Sequence, residues 1–168
     1  MLGRKQHEQV LERNVDAVEA CPLTPYTDIF ATGLYELIEE KQEKVGSVLL
    51  WRMEQPGGGD PAPRLLQRVS TSAVFDIKWH SMPLGSARRP WLGEASADGC
   101  VRVYDLRGPG EEGGEGERGE ECGSRESGSS GDDQDTCTWR RLHSLQLSEH
   151  NSCIFIDWSR DPETVQVM

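Results

Sequence analysis

Four histidines, five cysteines and five tryptophans are the side chains whose chemistry bears most directly on what this 168-residue chain can do. Their spacing matches no linear catalytic signature. There is no G-x-S-x-G turn for a nucleophilic serine, no H-E-x-x-H pair for zinc and no glycine-rich phosphate loop. Five cysteines without C-x-x-C spacing point to reduced thiols rather than a disulfide framework or a zinc site, and no metal or cofactor is expected. His80 is the most suggestive histidine, placed near Asp76 and Cys100 by the strand order given below, where it could act as a general base. A loop or core histidine is the simpler account. His7 falls in a terminus expected to be frayed, and His143 and His150 flank the last strand. Cys21 would be a nucleophile if a neighbouring base lowered its pKa, but a small cysteine beside Pro22 is more simply a packing residue. Trp51, Trp79, Trp91, Trp139 and Trp158 invite an aromatic cage, yet each lies in or beside an expected strand, where packing between sheets accounts for it. No residue is assigned as catalytic.

The elements that must position these side chains are strands. Ala95-Ser96-Ala97 and Cys100 to Leu106 flank Asp98-Gly99, a pair that signals a tight hairpin because the turn needs positive φ. After it, Val101 and Val103 alternate with Arg102 and Tyr104, the pattern of a half-buried strand. Upstream, residues 6–20 fit either a helix or, over Val15 to Glu19, a strand. From Ile29 to Tyr35 the chain reads as a strand, Glu36 to Lys44 as a charged loop, Gly46 to Met53 as the hairpin partner, and Leu65 to Val69 as a short fourth strand. Between the last two, Pro56 to Pro63 serves neither helix nor sheet.

The order then repeats. Ala73 to His80, Trp91 to Ala97, Cys100 to Leu106 and Trp139 to Leu147 form a second set of four, and Cys153 to Ser159 restarts the cycle, with Thr164 to Met168 as a further possible strand. The leading strands align on Ala20, Trp79 and Trp158. Ala20 and Trp79 are 59 positions apart, and Trp79 and Trp158 are 79 apart, or 50 with the acidic segment at 108–136 set aside. Four strands per period of about 40 to 50 residues is the signature of a β-propeller blade, and Tyr104-Asp105 stands where a WD repeat has Trp-Asp. The expected fold is therefore all-β: a partial WD-repeat propeller over residues 15–168, with sheets at about 16–71 and 73–147 and the start of a third, after a flexible N-terminus at 1–14. About four to eight blades are needed to close a propeller, so a truncated form that is inactive alone is expected, with Ile154 to Trp158 as an exposed edge.

The net charge of −11 speaks against nucleic acid or an anionic membrane as partner. Its distribution is uneven, for residues 108–136 hold ten acids and two arginines. No apolar run is long enough for a membrane span and Met1 to His7 lacks a signal-peptide core, so the expected location is cytoplasmic.

Four stretches, in order, resemble one family: Val15-Asp16-Ala17-Val18-Glu19-Ala20-Cys21-Pro22, Phe30-Ala31-Thr32-Gly33-Leu34-Tyr35-Glu36-Leu37, Ser70-Thr71-Ser72-Ala73-Val74-Phe75-Asp76-Ile77-Lys78-Trp79 and Ile156-Asp157-Trp158-Ser159. They are similar to the N-terminal part of the WD-repeat diphthine methyl ester hydrolases, also called diphthine methyltransferases, across about residues 14–160. The resemblance implies an ester hydrolase of diphthamide biosynthesis that demethylates methylated diphthine on elongation factor 2, its protein partner, to diphthine. Ala20 stands where the family usually has Trp, and His150 sits like the histidine of the Gly-His pair in many blades. The alternative reading is a non-enzymatic WD-repeat module that binds protein through blade edges and loops.

Gly108 to Thr136 is expected to be disordered, since ordering costs about 1–2 kcal/mol per residue and the segment has few apolar groups to offset it. Replacing it with a short Gly-Ser turn is predicted to leave stability within about 1 kcal/mol by thermal melting, because closure entropy grows slowly with loop length.

Overall fold

The structure is a computed structural model and describes residues 8–55, 57, 59–108, 137–149 and 151–158. His7, His150, residues 109–136 and the stretch from Ser159 onward, Thr164 to Met168 included, lie outside the described residues, as do the expectations placed on them.

Eight strands follow one another: β1 (Asn14–Ala20), β2 (Ile29–Ile38), β3 (Glu43–Glu54), β4 (Ala62–Ser72), β5 (Val74–Trp79), β6 (Trp91–Ser96), β7 (Cys100–Arg107) and β8 (Thr138–Gln146). They make two antiparallel sheets in sequential order, β1-β2-β3-β4 and β5-β6-β7-β8. The ambiguous stretch at 6–20 is resolved as strand from Asn14 onward. The charged loop expected at Glu36 to Lys44 shrinks to a turn at 39–42, because Glu36↔Val45, Leu37↔Lys44 and Ile38↔Glu43 still pair. The fourth strand is longer than Leu65 to Val69, because β4 pairs with β3 from Ala62 to Ser72.

The two sheets share their irregularities at matching positions. A bulge interrupts β1 between Val15 and Ala17, and another interrupts β5 between Val74 and Asp76. A second pair falls between Leu50 and Trp51 of β3 and between Val103 and Tyr104 of β7. With Ala20 matched to Trp79, the ladders match Phe30 to Leu92 and Trp51 to Tyr104. Bulges bend a strand and increase its twist, so the sheets carry the same bends in the same places.

The main core lies between the sheets, where β1 and β2 pack on β5 and β4 approaches β8. Ala31, Val48 and Leu50 of the first sheet meet Val74, Ile77, Trp79, Leu92, Tyr104 and Leu106 of the second. Burying a side chain such as Ile77 stabilises by about 1.5–3 kcal/mol. The strand expected to be half-buried at Cys100 to Leu106 runs one residue further, as β7, and is buried along its whole length. Tyr104 and Leu106 face the first sheet, while Val101 packs with Ala95, Ile156 and Cys153 on the opposite side. Its second face is covered because residues 151–158 lie across it. That segment docks without strand pairing: the Cys153 N–H donates to the Ser96 carbonyl at 3.0 Å and the Ile156 N–H to Asp76 Oδ2 at 3.0 Å. Ile154 and Phe155 are exposed, as expected of an edge, but Ile156 is buried.

Gly99 has φ of 76°, and a Cβ there would stand 2.1 Å from the Ser148 carbonyl oxygen. Gly99→Ala is therefore predicted to cost about 2 kcal/mol or more in urea unfolding, through backbone strain and displacement of the 147–151 chain.

Candidate functional site

The joint between the sheets holds the densest group of polar side chains, and the β6–β7 hairpin supplies most of it. Glu94 of β6 is fully buried. It accepts hydrogen bonds from Tyr104 Oη at 2.5 Å, Arg102 Nη1 at 3.1 Å and, across the joint, Thr71 Oγ1 of β4 at 2.9 Å. Arg102 also reaches Asp98 in the turn, Nη2 to Oδ2 at 2.5 Å, and Ser96 Oγ at 2.5 Å. Asp98 Oδ1 accepts in addition from Ser96 Oγ at 2.8 Å and the Cys100 N–H at 3.1 Å. Alternation along β6 and β7 is what aims Glu94, Ser96, Arg102 and Tyr104 at one face.

Burial pushes the Glu94 carboxyl above its ordinary value, against the pull of Arg102 and the hydrogen bonds from Tyr104 and Thr71. Burial also raises the Tyr104 phenol, helped by the neighbouring Glu94 charge. For Asp98 burial acts in the same sense, but hydrogen bonds from Arg102 and Ser96 outweigh it and the carboxyl lies below its ordinary value. The first sheet places Thr32 and Trp51 at the positions of Glu94 and Tyr104, and there the Trp51 indole N–H donates to Thr32 Oγ1 at 3.0 Å. An aromatic donor on the third strand and an oxygen acceptor on the second thus recur in both sheets. Chemically the cluster can lock one sheet to the other; its carboxyl at Glu94 is out of reach of solvent.

His80 is buried just past the end of β5, where its backbone N–H donates to the Trp91 carbonyl at 2.9 Å. Its Nδ1 faces the Met82 carbonyl at 2.7 Å and the Met82 N–H at 3.0 Å, and the ring meets Trp158 edge-on at 5.0 Å. The expected neighbourhood with Cys100 is not formed. Antiparallel pairing sets Trp79 beside Leu92 and Val74 beside Ser96, so His80 and Cys100 fall at opposite ends of the sheet. Asp76 spends its carboxylate on the Ile77 and Ile156 amides. Cys21 is buried in the main core and burial raises its thiol pKa, the opposite of an activated nucleophile. His143 is exposed on β8. Among the described residues neither histidine hydrogen-bonds a serine, threonine or cysteine side chain, and no group of three His, Cys, Asp or Glu could hold a metal ion.

The tryptophans are spread through the packing rather than gathered into a cage. Trp79 donates its indole N–H to the Glu19 carbonyl at 3.1 Å, and Trp158 donates to the Lys78 carbonyl at 2.7 Å. Glu19 and Lys78 are matched positions, each one residue before the alignment point. Trp51 stacks on Phe30 at 6.0 Å, Trp139 packs against Trp79 and Tyr104, and Trp91 is half-buried beside the 84–89 turn. The sequence reasoning missed Glu94, Arg102 and Asp98. Their signal was faint: a glutamate in a strand otherwise made of apolar and small residues, and an arginine in a strand that carries Asp105 and Arg107 as well.

Two sheets with matched bulges, joined by an indole-to-carbonyl bond that recurs one step further along, define adjoining blades of a β-propeller that is not closed. No protein-family model matches the chain. Among curated proteins it is 26% identical over 158 residues to diphthine methyltransferase of Mus musculus, covering 88% of this chain and 28% of that protein. It is 29% identical over 112 residues to the Homo sapiens diphthine methyltransferase, covering 56% of this chain and 24% of that one. These matches relate the chain to the diphthine methyltransferases. It spans about a quarter of the length of the curated relatives it matches.

The depressed Asp98 carboxyl gives a signed pH dependence. Its contribution to stability is fully present above its ordinary value of 3.8 and is lost as pH falls through the lower folded value. Urea unfolding at a series of pH values is predicted to show a shallower acid-side loss of stability for Asp98→Asn than for the unaltered chain.

Proposed function

We propose that the chain supplies the opening blades of a hydrolase that removes the methyl ester from methylated diphthine on elongation factor 2, leaving diphthine in the pathway to diphthamide. The observation that carries this reading is the match to two diphthine methyltransferases, one of them across 88% of the chain. The two four-stranded blades suit the WD-repeat propeller that the resemblance implies. In the reaction, water adds to the ester carbonyl, the tetrahedral intermediate expels methanol, and a carboxylate remains on the protein substrate. Such a step needs a base for the water and donors for the oxyanion. No residue of this chain is assigned to either role. The net charge of −11 suits a protein partner better than nucleic acid or an anionic membrane, and the proposed location is the cytoplasm. Among the described residues no helix is long and apolar enough to cross a membrane.

A second reading, a protein-binding module without turnover, draws support from the occupied state of the candidate base. His80 Nδ1 is held by the Met82 backbone in a buried turn.

The two readings separate in one experiment. Release of methanol and loss of the methyl ester, read by mass spectrometry of the modified peptide after the purified chain is incubated with elongation factor 2 carrying methylated diphthine, would favour the hydrolase reading and overturn the expectation that this short form is inactive alone. Saturable binding without ester loss would transfer support to the binding module, and neither binding nor turnover would overturn both.

A further inference from the structure

The joint between the sheets has two sides, and each side has a counterpart left over at one end of the two-sheet stack. On the second sheet, Ile77, Leu92, Leu106 and Trp139 form its side of the joint and are buried. The matched residues of the first sheet are Val18, Phe30, Met53 and Pro63, which alternation turns away from the joint. Val18, Phe30 and Pro63 line an open apolar pocket of about 180 Å³ with Leu11, Val15 and Trp51, and Val18 and Met53 are exposed. On the first sheet's side of the joint stand Ala31, Val48 and Leu50, with Leu66 and Val69 packed against them. Their matches, Gly93, Val101, Val103, Leu142 and Leu145, lie on the outer face of the second sheet, where Leu145 is 55% exposed. Leu66 and Leu142 are alike in detail, each being the residue that a bulge leaves unpaired. The outer face of the first sheet is therefore of the kind that packs on the outer face of the second, and a second copy of the chain carries both.

Within one copy, part of that seat is already taken. Residues 151–158 lie on the second sheet as β5 lies on the first: Ile156, matched to Ile77, is buried, and Trp158, matched to Trp79, donates its indole N–H to the Lys78 carbonyl at 2.7 Å. Ser152 Oγ adds a bond to the Ala97 carbonyl at 3.1 Å. Gly93 leaves room for the segment, since a Cβ there would stand 2.5 Å from Ile156 Cδ1. To the same two points β1 of a second copy would bring Val18 and Ala20, which are smaller and have no indole.

We propose that residues 151–158 are a plug against self-stacking: they hold the place on the second sheet that β1 of a second copy of this chain would fill, and their release lets copies join head to tail, first sheet on second. The plug prevails because it is tethered to the sheet it covers, at an effective concentration that a separate chain does not match, and because it carries the Trp158 anchor. It lifts away without breaking a ladder, since among the described residues it pairs with no strand. The contact joins two different faces, so each added copy leaves one of each free and association is not confined to dimers.

The test is sedimentation velocity of the whole chain over a wide range of concentration. The unaltered chain is expected to remain monomeric, and Trp158→Ala to raise the association constant by about tenfold or more, because the indole bond and the packing of its ring are lost together. Adding Val18→Glu to Trp158→Ala should return the monomer by placing a charge on the face that docks. A synthetic peptide of residues 151–158, supplied to the Trp158→Ala chain, should suppress association by refilling the seat. If Trp158→Ala does not fold, Cys153→Pro decides the question instead, since it removes the N–H that the plug gives to Ser96 and leaves both sheets untouched. Association of the unaltered chain as strong as that of the loosened variant, a monomer in every loosened variant that folds, or association that persists with Val18→Glu or in the presence of the peptide would each overturn the proposal.

Discussion

The contact on which the structure turns is a tryptophan indole N–H bonded to a backbone carbonyl near the end of the preceding sheet's first strand. Trp79 makes it to Glu19, and Trp158 makes it to Lys78. Because Glu19 and Lys78 are matched positions, the 151–158 segment meets the second sheet at the same height as the second sheet meets the first. The bond is worth about 1 kcal/mol net, too little to hold sheets together unaided. Its role is to fix register, while the apolar surface around Ile77 and Leu92 provides the driving force.

The Glu94 cluster shows the other side of that division. Removing a carboxylate and a guanidinium from water is costly, and their attraction repays the cost only when nearly every donor and acceptor is used. Here Tyr104, Thr71, Ser96 and the Asp98 turn take up that capacity. Thr71 is the member that comes from the other sheet, so the network is complete only when the two sheets meet in register. Its counterpart in the first sheet, Trp51 on Thr32, satisfies the same positions with one uncharged bond.

Matched positions also explain where apolar surface is left in water. Ile77 and Ile156 are buried because each has a preceding sheet beneath it, whereas Val18, at the same position on β1, is 60% exposed. Ala20 at the alignment point has no indole to reach outward. Leu11 and Phe30 partly cover this face of the first sheet by packing on Leu34, Leu49 and Trp51.

The sequence alone determined that the chain is made of strands and that they come in fours. Those properties rest on local terms: alternation, the φ that Asp98-Gly99 requires, and the recurrence of similar strand ends. The resemblance to diphthine methyltransferases was legible too, read from short phrases such as those ending at Pro22 and Trp79. What the sequence did not reveal is which side chains meet. His80 and Cys100 stand before and after β6, and the antiparallel ladder that runs the length of that strand holds them at opposite ends of the sheet. Burial of β7 on both faces depended on residues 151–158 folding across it, some fifty positions away in the chain. Likewise Arg89, Arg107 and Arg140 are far apart in sequence and come together because β7 brings Asp105 between them. Local preference specifies strands; long-range pairing and the stacking of sheets specify neighbours, and chemistry depends on neighbours.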